Sequence, residues 1–136
     1  MLNYENTQKA KKYLKFIFIN PFKYAFLKIY FGFLIALNLA IWGLANFTYK
    51  QVAPGNIALH YSVDFGIDFY GPANKIFIIP VLATFFLLLN FSATFIMRLY
   101  LRDDFKFIAH ILLSAAIVIS IILLGAVISI YLVNFR

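Results

Sequence analysis

Cysteine is absent from the 136 residues, and acids are scarce, with five Asp and Glu set against twelve Lys and Arg. The first absence excludes disulfides, thiolate metal sites and cysteine nucleophiles. The second leaves a formal charge of +7, which in a water-soluble domain would point to nucleic acid. Charge of either sign is itself rare, at 12% of residues where soluble domains carry about 25%. The chain also lacks a Ser-His-Asp order, a nucleophile elbow, a phosphate-binding glycine loop and a His-Glu-x-x-His helix. No catalytic residue, cofactor or metal site is assigned, and the chain is read as a non-enzyme.

What remains is apolar: 64% of residues are hydrophobic, mean hydropathy is +0.88, and there are 17 Phe and nine Tyr. Three runs, at residues 29–48, 76–97 and 107–135, contain no Asp, Glu, Lys or Arg. Each is long enough to cross about 30 Å of hydrocarbon at about 1.5 Å per residue. The expected fold is therefore an all-α integral membrane protein of one domain, with three transmembrane helices and a lipid bilayer as partner. Lys9, Lys11, Lys12, Lys15, Lys23 and Lys28 fill the segment 1–28 against the single acid Glu5. That bias predicts a cytoplasmic, membrane-surface segment, and orientation plus anionic lipid explain it without nucleic acid. The apolar run that follows exceeds the 7–15-residue core of a signal peptide, so it is expected to stay as a span. Arg98, Arg102 and Lys106, set against Asp103 and Asp104, make the turn 98–106 positively biased and place it in the cytoplasm, which puts the loop 49–75 and Arg136 outside.

The loop 49–75 is the segment too polar for lipid, and its centre reads IALHYSVDFGIDFYGP from Ile57 to Pro72. Short runs of β-branched and aromatic residues at 57–63 and 67–70 flank Gly66 and predict a small extracytoplasmic β-hairpin. Two strands alone are marginal in water, so the hairpin needs the helix ends, the membrane or a partner to hold it. His60, Asp64 and Asp68 form the titratable cluster of this side and could in principle ligate zinc or manganese. Gly66 interrupts the strand that would align them, and solvated or turn-stabilising roles are favoured. The loop residues singled out for a ligand-binding or structural role are His60, Tyr61, Asp64, Gly66, Asp68 and Tyr70. Gly66 and Gly71 are expected to supply positive backbone dihedrals.

Inside the spans, Gly32, Ala36, Ala40 and Gly43 share one stripe of the first helix, which is expected to face protein. Asn38, Asn90 and Ser114 each lie about 8 to 10 residues from the nearest basic flank. At about 1.5 Å per residue they should sit at similar depth and act as polar packing between helices. His110 is expected at an interface, and Pro80 in the first turn of its helix, where a missing N–H costs little.

The run Leu59-His60-Tyr61, then Gly66, Asp68, Gly71 and Lys75, with Pro80 opening the next span, resembles a small bacterial membrane domain of unknown function. That domain occurs alone and at the amino end of SdpI-type immunity proteins. Ala58 stands where the family motif has proline, and Gly66 is displaced by one position. The resemblance implies a bacterial plasma-membrane protein and supplies no catalytic residue. The expected function is that of an interaction, immunity-like or accessory subunit whose outer loop contacts a ligand, a protein partner or further copies of itself. The alternative is a small transporter or channel subunit assembled from several copies, although the charge-free spans speak against an ion or proton path.

Overall fold

The computed structural model describes residues 6–9, 11, 24–62, 64, 66–100 and 104–135. Most of the segment 1–28, part of the turn 98–106 and Arg136 lie outside them. Three helices dominate: α1 is Ala25–Val52, α2 is Ile78–Tyr100 and α3 is Phe105–Phe135. Two antiparallel strands, β1 Asn56–Ser62 and β2 Gly66–Pro72, join the first two helices, and a 3-10 turn, Ala73–Phe77, leads into α2. All three helices are long and apolar enough to cross a membrane. The chain is thus a multi-pass membrane protein with an all-helical core and a hairpin at one end.

Most of the helical surface faces outward and is apolar, including Ile29, Leu39, Phe85, Leu88, Val118 and Ile122. Such a surface is stable against lipid, which solvates it as well as a protein core would. Rings collect towards both ends of the helices. Tyr24, Phe26, Tyr30 and Phe105 lie at one end, and Trp42, Tyr49, Phe77 and Tyr131 towards the other. Tyr24 and Tyr49 are separated by about 37 Å at ~1.5 Å per residue, which suits two headgroup regions.

The interior divides into two apolar clusters. At the basic end Leu27, Phe31 and Leu34 of α1 pack on Phe105, Ala109, Leu113 and Ala116 of α3. Towards the hairpin Ile41 and Ala45 meet Ile57, Ala73, Ile76, Ala83, Val127 and Ile130. The buried face of α1 therefore runs through Leu27, Phe31, Leu34, Ile41, Ala45 and Thr48. Gly32, Ala36, Ala40 and Gly43 are all exposed on the opposite side, and a methyl added at either glycine would meet nothing within 4 Å. The stripe therefore does not pack against the other helices of this chain. Close approach is supplied instead by Ala109 and Ala116 of α3 and Ala83 of α2, which receive the larger side chains of α1.

Candidate functional site

The hairpin closes where Ser62 pairs with Gly66, leaving three residues to make the turn. Gly66 has φ +71°, a conformation open to glycine at little cost, and so permits the chain to reverse. Gly71 does not share that role. Among the described residues Gly66 is the glycine with positive φ, while Gly71 is buried and a Cβ there would stand 2.8 Å from Leu59 Cδ1. Its lack of a side chain lets Leu59 lie across β2.

The strands are not in simple alternation. Ala58 faces Tyr70, His60 faces Phe69 and Tyr61 faces Ile67, so Leu59 and Asp68 are each left without an opposite residue. Two such irregularities, one per strand, bend the ribbon and re-aim its side chains. Ahead of both irregularities, Ile57 and Ala58, neighbours in sequence, are both buried. Ile57 enters the cluster between the helix ends. Ala58 turns its peptide groups to α3, where the Asn134 side chain meets both: Ala58 N–H donates to Oδ1 at 2.9 Å, and Nδ2 donates to the Ala58 carbonyl at 2.9 Å. The second Nδ2 hydrogen goes to the Ile130 carbonyl at 2.8 Å. Asn134 thus acts as a short strand partner, covering the edge of β1 that β2 leaves open.

With one strand fixed to the helices, the other presents its rings. Phe69 and Tyr70 are exposed, and the Lys75 ammonium lies 5.4 Å from the Phe69 ring centroid. His60 and Asp64 are exposed on β1 and at the turn. The side chains of Tyr61 and Asp68 lie outside the described residues. Among the described residues no three His, Asp or Glu groups lie close enough to hold a metal ion. A groove of about 460 Å³ runs beside β1, lined by Ala58, Leu59, His60, Ile79, Ser129 and Leu132 among others. It is mainly apolar, and the Ser129 hydroxyl is occupied by the Gly125 carbonyl at 2.9 Å. His60 and Ser129 are the polar side chains among its lining residues.

The three intramembrane polar residues are not brought together. Asn38 Oδ1 accepts from Thr84 Oγ1 at 3.3 Å, and the same hydroxyl accepts from Trp42 Nε1 at 3.0 Å and donates to the Pro80 carbonyl at 2.9 Å. One hydroxyl proton serves two acceptors here, so the shorter bond to Pro80 holds it most of the time. Asn38 Nδ2 is buried without a partner among the described residues. Asn90 donates to the Phe86 carbonyl of its own helix, and Ser114 lies 3.3 Å from the Tyr30 hydroxyl, which is also 3.2 Å from His110 Nδ1. Depth also differs from the expectation. Ser114 is level with Tyr30, and Phe91, beside Asn90, packs its ring at a tilt against Phe31, so Asn38 sits about two turns nearer the hairpin. The reason is that Lys28 lies inside α1 rather than at its start, so basic flanks do not mark one common plane.

Thr84, Trp42, Tyr30 and Asn134 are the residues that sequence reasoning missed. Thr84→Val keeps the shape and removes the acceptor of the Trp42 N–H. We expect a loss of about 0.6 to 1.7 kcal/mol, the scale of interhelical hydrogen bonds in membranes. Trp42 is the sole tryptophan, so its emission should move to shorter wavelength as that bond is lost. Unchanged emission would show that the link between α1 and α2 does not form. No family model matches the chain, and neither a curated protein nor a solved structure matches it.

Proposed function

We propose that the chain is a non-enzymatic plasma-membrane interaction subunit that holds an aromatic hairpin on the outer surface for a protein partner. The observation that carries the reading is the asymmetry of the hairpin: β1 is clasped by Asn134 and plugged by Ile57, while β2 exposes Phe69 and Tyr70. Fixing the ribbon at two points holds the exposed rings in one position, so that they offer contact area at small entropic cost. Orientation follows from the basic residues, which put the amino end and the turn 98–106 in the cytoplasm and the hairpin and Arg136 outside. The outward stripe on α1 is the place where a second copy or a partner helix would approach, because small residues admit close backbone contact.

Two measurements test this. Single cysteines at Asn56 and after Arg136 should label with an impermeant reagent in intact cells, and cysteines at Gln8 and Asp103 should not; labelling at Asp103 refutes the orientation. Photo-crosslinking residues at Phe69 and Tyr70 should then give a discrete protein adduct that one at the outward-facing Val118 does not. Identical adduct patterns at all three positions would remove the hairpin as the contact surface.

A further inference from the structure

The groove beside β1 is made by three elements that meet at the hairpin end of the bundle. Ala58 and Leu59 come from β1, Ile79 from the first turn of α2, and Ala126, Ser129 and Leu132 from α3. At about 460 Å³ it falls within the size range of small-ligand sites, about 300 to 1,000 Å³.

Along α3 the lining residues reach from Ala126 to Val133, about 10 Å at ~1.5 Å per residue. The upper part is level with Tyr131, one of the rings at the headgroup level of this end. The lower part lies about 7 Å deeper along the helix, within the hydrocarbon. The groove thus follows the course of a lipid chain, from headgroup level inward. It is also continuous with the membrane-facing surface, because Leu132 and Ser129 line it and are themselves exposed, as is the neighbouring Ile128. An apolar cleft open to hydrocarbon is filled by it, since a void forfeits the dispersion contacts of every atom along its walls.

Hydrogen-bonding groups in the groove are already committed. Among the described residues Ser129 is the polar side chain that the helices contribute, and its hydroxyl donates to the Gly125 carbonyl at 2.9 Å. On the hairpin side the Ala58 N–H and carbonyl are both taken by Asn134. His60 is exposed, which puts it at the mouth of the groove and not on its floor. The interior therefore matches methylene groups better than a polar ligand.

We infer that this groove holds one acyl chain of a phospholipid from the leaflet on the hairpin side, laid along α3 and bounded by Leu59. The chain gives β1 a third support, beside the Asn134 clasp and the Ile57 plug. This role stands apart from whatever Phe69 and Tyr70 touch.

The test uses the full chain in phosphatidylcholine liposomes that include a phosphatidylcholine with a diazirine in the upper part of one acyl chain. Illumination, digestion and mass spectrometry then locate the lipid adducts. Leu59 and Ser129 should both be labelled, and Leu59 decides, because it belongs to the hairpin and lines the groove. Ile78 and Val81, exposed in the first turn of α2, report ordinary lipid contact at the same level. Labelling at those two positions without labelling at Leu59 would overturn the proposal. Ser129→Phe puts a ring into the groove and should abolish the Leu59 adduct, whereas Val118→Phe, on the exposed surface of the same helix, should keep it. Hydrogen exchange at the Ala58 amide shows whether the hairpin is still docked in Ser129→Phe; if it is not, Ala126→Phe fills the groove instead. A Leu59 adduct that survives in a docked, filled variant refutes the site. A discrete protein adduct from a photoreactive residue at Leu132 in cells would give the groove to a partner chain and overturn the lipid assignment. If both filled variants undock, the labelling of Leu59 in the unaltered chain still decides.

Discussion

Replacing Asn134 by leucine is expected to release β1 from α3 while β1 and β2 stay paired. The substitution removes both hydrogen bonds that Ala58 makes outside the hairpin, and Ala58 is 2% exposed, so water does not reach the freed groups unless the hairpin moves. An unsatisfied buried N–H or C=O costs about 1 to 3 kcal/mol. Two of them together exceed what the docked position can bear, and the hairpin should swing towards water to satisfy both. Hydrogen exchange reads this directly: the Ala58 amide should exchange faster by about 30-fold or more, while amides in the middle of α3 are unaffected. Retained protection at Ala58 would mean that the clasp is incidental. Asn134→Asp gives a finer control: its carboxylate can still accept from the Ala58 N–H but has no proton for the Ala58 and Ile130 carbonyls, so one of the three bonds survives and protection at Ala58 should fall by less than in Asn134→Leu.

The spans and the hairpin were legible in the sequence for different reasons. A charge-free apolar run of some twenty residues has one solution in lipid, because backbone groups must bond within the segment. Gly66, set between β-branched and aromatic residues, marks the reversal, and its φ of +71° is the conformation that position needed. The orientation of α1 was not legible. In water an amphipathic pattern distinguishes core from surface, but in lipid both faces are apolar. Phe31, Leu34 and Ile41 face protein while Ile29, Phe33 and Leu39 face outward, and composition alone does not separate the two sets. The small-residue stripe was the one visible feature, and it marks the outward side.

The clasp was hidden for another reason. Asn134 is a single polar residue near the end of a span, where an interfacial role is the ordinary reading, and its partner is a backbone 76 positions away. Backbone partners leave no trace in residue type. Thr84 was overlooked for a related cause: next to asparagine it reads as a small residue. Yet its hydroxyl is the group on which Trp42, Asn38 and Pro80 all converge.

Ile57 supplies the second large effect, since it is wholly buried among residues of α1, α2, α3 and the 3-10 turn. Ile57→Val should cost about 0.5 to 1.5 kcal/mol and Ile57→Ala about 2 to 5, because the cluster is walled by helix residues that relax only in part around the cavity. Docking of one hairpin through two contacts makes a stronger claim than either number. If the clasp and the plug hold the same rigid ribbon, losing one releases the element that the other was holding. Combining Ile57→Ala with Asn134→Leu should then cost clearly less than the sum of the single losses, with a coupling of about 1 kcal/mol or more. Local opening free energies from hydrogen exchange at the hairpin amides provide all four corners of that cycle. Strict additivity would mean that Ile57 and Ala58 open separately, and β2 would then have no fixed base from which to present Phe69 and Tyr70.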